Sequence, residues 1–144
     1  MQWKKDNYLI STDKVLLDFE LIYQFISTSY WAKGIPKETL QKALDGSLCF
    51  GLYHDGKQIG LSRMITDNAT FAYLADVFVL EEYRGKGLSK WMMECVLAHP
   101  SLQGLRRIML ATADAHGLYE KYGFTAISMP EMLMQIHRPD AYNN

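Results

Sequence analysis

The chain has 144 residues, 49% of them apolar and 22% charged, with a formal net charge of −1 at pH 7. That length is enough for one domain, residues 1–144, to bury a core without metal or disulfide staples. The near-neutral balance gives no general attraction for nucleic acid, so any anion site must be local. No apolar run is long enough to span a membrane and the N-terminus lacks a signal-peptide core, so a cytoplasmic protein is expected. Cys49 and Cys95 sit in apolar sequence and are expected to be reduced and buried. With four scattered histidines and no paired-cysteine motif, no metal site is expected.

Residues 8–11 read as a short first strand. From Asp18, a candidate N-cap, Phe19, Ile22, Tyr23, Ile26 and Tyr30 recur at helical spacing. Pro36 suits the start of a second short helix carrying Leu40, Ala43 and Leu44, which Gly46 ends. "SLCFGLYH" and "KQIGLSRMIT" flank Asp55-Gly56, a two-residue hairpin turn of type I′ character. A further polar turn at Asp67-Asn68 leads into "TFAYLADVFVL", apolar on both faces and hence a central strand covered on each side. After the loop Arg84-Gly85-Lys86-Gly87, the residues Leu88, Trp91, Met92, Cys95 and Val96 form one helical stripe. "RRIMLAT" predicts a strand, "AHGLYEKYG" a short helix capped by Asp114, and "EMLMQIH" a final strand. This order predicts an α/β domain with a largely antiparallel sheet and helices on both faces.

The strand, Gly-rich loop and helix form the recurrent cradle for phosphate. Glycine lets the main chain approach an anion, and first-turn N–H groups have no helical partner. Neither the dinucleotide fingerprint nor the P-loop spacing is present: position 90, where a third glycine would fall, is Lys90.

Together with "LYEKYGF" at residues 118–124, this loop resembles the GNAT family of N-acetyltransferases. The family's loop motif maps onto Arg84, Gly87 and Ser89, and the order of elements also fits. Ser89 stands where the family has Gly or Ala, and Thr112 where it often has Asn. The resemblance implies a mixed, mostly antiparallel sheet with helices on both faces, and acetyl-CoA as donor. It implies that Arg84, Gly85, Lys86, Gly87, Leu88 and Ser89 hold the pyrophosphate. The pantetheine arm would lie along Val77, Phe78 and Val79, where the sheet should splay, and Thr112 would flank it. Tyr119 is then the expected acid for the departing thiolate. The acceptor would be a small-molecule or peptide amine, attacking directly in a ternary complex, and a homodimer is compatible with the family.

Asp76 lies on a central strand between Leu74 and Phe78, a place where burial makes a carboxylate a candidate base. The other reading is a carboxylate paired with Arg63 or Arg84, or one bonded to main chain where the sheet splays. Arg63 in turn can bind an acidic group of the substrate or pair with Asp67 or Asp76. His116, one turn before Tyr119, is a second candidate base that would also meet the acceptor; its other reading is an exposed helix histidine. Tyr30 and Trp31 offer an aromatic wall for a cationic amine, with Trp31 equally readable as a core plug. The competing class is a non-catalytic module that binds acyl-CoA or a protein partner on the same fold.

Overall fold

The computed structural model describes residues 1–143. Six strands form one sheet in sequence order: β1 (Gln2–Lys5), β2 (Tyr8–Ser11), β3 (Leu48–His54), β4 (Lys57–Thr66), β5 (Phe71–Val79) and β6 (Arg107–Leu110). Every neighbouring pair is antiparallel except β5 with β6, which run parallel. The helices are α1 (Phe19–Ser27), α2 (Lys37–Asp45), α3 (Leu88–Ala98) and α4 (His116–Glu120).

Local chemistry accounts for most of these boundaries. Asp18 caps α1 by accepting from Leu21 N–H at 3.2 Å, and α2 starts directly after Pro36. Asp55 and Gly56 have φ of 49° and 82°, the positive values that a type I′ turn requires, and β3 and β4 pair on either side.

One core lies on each face of the sheet. Ile22, Ile26, Leu40 and Leu44 of α1 and α2 pack on Cys49, Leu61 and Phe78. Leu88, Met92, Cys95 and Val96 of α3 pack on Phe50, Met64, Leu74 and Val79 from the other side. This is the expected architecture, and it explains why β5 is apolar in both registers.

The sheet holds a break that side-chain alternation alone does not predict. Leu61 pairs with Phe78 and Arg63 with Ala75, so β5 carries one extra residue there. Asp76 takes φ of 52° at this bulge, left-handed backbone that a non-glycine residue adopts at a cost. The extra residue reverses parity: Leu74 lies with the α3 core and Phe78 with the α1–α2 core. The expectation that Asp76 shares a face with both neighbours is therefore corrected. A second register shift in β3–β4 likewise puts Ile59 with the α3 core while Leu61 faces α1 and α2.

Three further expectations change. Gln2–Lys5 adds an edge strand that its polar composition concealed. Asp114 does not cap α4; the hydroxyl of Thr112 accepts from Ala115 N–H at 3.1 Å instead. "EMLMQIH" is not a strand: a 3₁₀ turn at Pro130–Met132 leads into irregular, exposed chain.

Candidate active site

β6 pairs only with the first half of β5, from Phe71↔Arg107 to Leu74↔Leu110. Beyond Leu74, residues 75–79 of β5 have no strand on that side, so main-chain groups of Val77, Phe78 and Val79 border an opening in the sheet. A cleft of about 800 Å³ occupies this opening. Arg84, Ser89, Thr112 and Tyr119 line it, together with Tyr30 and Trp31.

The loop after β5 is shaped by two left-handed residues, Gly85 (φ 79°) and Gly87 (φ 77°). A Cβ at either would meet no atom within 4 Å, so bare main chain faces open space. Gly87 is the N-cap of α3 and offers no side chain; the first helical bond is Trp91 N–H to Gly87 O, at 3.0 Å. Among the described residues, the N–H groups of 86–90 hold no intramolecular acceptor. Main-chain donors in a glycine cradle at a helix start fit the diphosphate of coenzyme A. Arg84 Nε donates to Val79 O at 2.9 Å, fixing the loop to the end of β5. Lys86 Nζ stands 5.7 Å from the Tyr83 ring centroid, keeping its charge beside the loop. Leu88 turns the other way, into the α3 core.

Tyr119 is buried on α4, its ring edge-on to Phe124 with centroids 5.8 Å apart. Burial, then the nearby Tyr30 and Asp114, push its phenol above the ordinary value. The hydroxyl therefore keeps its proton at neutral pH. Thr112 uses one lone pair on Ala115 N–H and retains its own O–H as a donor.

Asp76 lines the cleft, 8% exposed, and both its oxygens are engaged. Oδ2 accepts from Arg63 Nε at 2.7 Å and Oδ1 from Trp31 Nε1 at 2.7 Å. Arg63 also donates to Ser47 Oγ at 3.0 Å. Of the partners open to it, Asp76 takes Arg63; Asp67 instead closes its own turn, accepting from Ala69, Thr70 and Phe71. Trp31 is not a core plug. Its indole N–H holds the bulge, while its ring, 43% exposed, meets Tyr30 edge-on at 5.1 Å.

The structure brings Tyr30, Trp31, Arg63, Asp76, Thr112 and Tyr119 together on one cleft. His116 is exposed and does not line it. Tyr142, invisible to sequence reasoning, does line it and packs beside Gly34 in the α1–α2 connection. Nothing in the local sequence of Tyr142 marks it, because its position depends on where the whole C-terminal stretch travels.

The acetyltransferase (GNAT) family model matches residues 17–124, from just before α1 through Phe124. A protein of Gibberella zeae named as a candidate acetyltransferase is 38% identical, with 83% of this chain and 79% of that protein covered. A crystal structure from Xanthomonas campestris pv. campestris, described as a candidate GNAT acetyltransferase, is 52% identical with a TM-score of 0.93. It covers 98% of this chain and 100% of its own. A GNAT acetyltransferase of Elizabethkingia anophelis, solved with acetyl-CoA bound, shares the fold at 17% identity and a TM-score of 0.63, over 86% of this chain and 80% of that one.

Fold, loop and opened sheet thus define an acyl-CoA transferase scaffold. The chain belongs to the acetyltransferase (GNAT) family: it is an N-acetyltransferase whose acetyl donor is acetyl-CoA. Among the described residues no helix is long and apolar enough to cross a membrane.

Proposed function

We propose that this chain, acting as one domain over residues 1–144, acetylates a primary amine of a small molecule or peptide by direct attack within a ternary complex. The observation that carries this reading is the single cleft onto which the Gly-rich loop, the unpaired half of β5 and Tyr119 all open. Bound acetyl-CoA supplies an activated thioester; the remaining work belongs to the chain.

The N–H groups from Gly85 to Ser89, with Arg84 and Lys86, hold the diphosphate. Leu88 anchors that helix start in the core and Thr112 flanks the channel. Main-chain groups of Val77, Phe78 and Val79 hold the arm in extended form, as a neighbouring strand would. An N–H of this stretch, fixed by the bulge, is placed to polarise a carbonyl. Tyr119 Oη holds a proton that burial keeps in place until a thiolate needs it.

With both oxygens engaged, Asp76 orients Arg63 and Trp31, and the proton of the attacking amine leaves through water at the cleft mouth. Trp31 and Tyr30, the latter 70% exposed, present ring faces and edges to a cationic acceptor. Direct transfer is supported by the two thiols: Cys49 and Cys95 are free and buried, and burial pushes Cys95 up to about 11 and Cys49 also upward. Reduced thiols also fit a cytoplasmic location.

Initial rates with both substrates varied test the kinetic order. Intersecting double-reciprocal lines are expected, and parallel lines, the pattern of a covalent acetyl-enzyme, would overturn direct transfer.

A further inference from the structure

Arg63 has more donors than the structure uses. Its side chain is 14% exposed, and two of its nitrogens are clamped: Nε donates to Asp76 Oδ2 at 2.7 Å and Nη1 to Ser47 Oγ at 3.0 Å. Ser47 is itself fixed, its hydroxyl donating to Ala43 O at 2.7 Å. Nη2 donates to nothing among the described residues, yet the buried polar atoms left without a partner there are Tyr53 Oη and Ser62 Oγ. Nη2 is therefore unused and still accessible, on a guanidinium that lines the cleft.

The other charges that line the cleft are Asp76, Arg84 and Asp114. Both oxygens of Asp76 are engaged, by Arg63 and by Trp31. Asp114 is exposed, where a carboxylate attracts a cation only weakly. Arg84 belongs with the diphosphate. Among the described residues, the second cation of a diamine thus finds no buried, free carboxylate in the cleft. An anion does find a fixed, partly desolvated donor. Phe25, Ile35, Leu40 and Ala43 line the same cleft and give it apolar walls.

We propose that the acceptor is an α-amino acid with an apolar side chain, and that Arg63 Nη2 binds its carboxylate, a reading that rests on the acetyl transfer proposed above. A bond from Nη2 to an anion is charge-assisted, and Asp76 and Ser47 already hold the guanidinium in place, so little ordering cost remains. Asp76, bonded to Arg63, directly precedes Val77, the first of the main-chain groups that border the opening in the sheet. An α-amine lies a single carbon from its carboxylate, so anchoring one at Arg63 keeps the other beside the stretch that holds the thioester. The amine lone pair forms the bond to the acetyl carbon, and the carbon–sulfur bond breaks with its electron pair left on sulfur. Sulfur takes a proton, the new amide gives one up to water, and the carboxylate is unchanged. The products are an N-acetyl amino acid and coenzyme A.

Initial rates with acetyl-CoA and matched acceptor pairs, leucine against leucinamide and phenylalanine against phenylalaninamide, test this. The amine of the amide is less basic and more of it is free at neutral pH, so a preference for the acid cannot come from the supply of nucleophile. kcat/KM for each acid is expected to exceed that for its amide by at least about tenfold. Asp76→Asn, at a left-handed position that asparagine tolerates, removes the competing carboxylate and should keep or enlarge the preference. Adding Arg63→Met to it removes the cation without stranding an anion, and the ratio of acid to amide should fall to about one. Equal rates for acid and amide in the unaltered chain overturn the proposal and leave acetyl transfer standing, as does a preference that survives the double variant. Release from neither acid nor amide, with release from other amines, does the same. No release from any amine overturns the proposal together with the acetyl transfer beneath it.

Discussion

Arg63 and Asp76 meet across the β5 bulge, Nε to Oδ2 at 2.7 Å, with their side chains only 14% and 6% exposed. The pair ties β4 to β5 at the point where the register slips, and Trp31 adds a third member from the α1–α2 connection. Removing the cation strands a buried carboxylate. Arg63→Met is expected to cost about 3 kcal/mol in urea unfolding. Trp31→Phe, which keeps the ring and loses only the N–H donor, should cost about 1 kcal/mol. A free-energy loss at Arg63 no larger than that at Trp31 would show that the pair does not hold the bulge.

Gly87 adopts φ of 77° with open space where a Cβ would project. Gly87→Val forces a β-branched residue into left-handed backbone, at about 1–3 kcal/mol. Its side chain also fills the cradle. Coenzyme A affinity measured by calorimetry should fall by at least about tenfold, the equivalent of 1.4 kcal/mol. Unchanged affinity in a folded variant would remove the loop from cofactor binding.

Tyr119→Phe separates chemistry from binding. If the phenol donates a proton, kcat should fall by about a hundredfold while the Kd for acetyl-CoA stays within a factor of about two. The pH profile carries its own signature. The phenol is raised from 10.0, mainly by burial, and the active form is protonated. Its ionisation therefore costs no activity below pH 10.0, and an alkaline limb caused by it must lie higher. A limb below that value that disappears in Tyr119→Phe would contradict the assignment of its environment.

Tyr53 yields a stability prediction away from the cleft. Its hydroxyl is buried with no partner among the described residues, tucked against the space a Cβ on Gly51 would need. Burial first, and then Asp13, raises its pKa above 10.0. The folded state thus disfavours the phenolate and the unfolded chain does not. Stability is insensitive to this group below pH 10.0 and falls as pH rises past it. Tyr53→Phe should raise stability by about 1 kcal/mol at neutral pH and blunt the alkaline loss. Urea unfolding at neutral pH and above pH 10.0 checks both.

Much of the fold could be read because its signals are local. The hairpin at Asp55-Gly56, the caps at Asp18 and Gly46 and the stripe of α3 each depend on residues a few positions apart. The Gly-rich loop was legible for the same reason. What escaped depends on distant pairing. The bulge at Asp76 is a mismatch between β4 and β5, and no spacing within "YLADVFV" announces it. The role of Trp31 required knowing that residues 31 and 76 meet, as did the choice between Asp67 and Asp76 for Arg63. "EMLMQIH" has a strand's composition, but composition cannot say which edge a segment pairs with, and in the structure this stretch joins no strand.

The central claim is that the loop and the opened sheet hold acetyl-CoA for attack by an amine beside Tyr119. Thiol release from acetyl-CoA, followed with and without a pooled set of primary amines, tests it most directly. We predict release that depends on the amine and is lost in Gly87→Val. Saturable coenzyme A binding with no amine-dependent release from any member of the pool would contradict it.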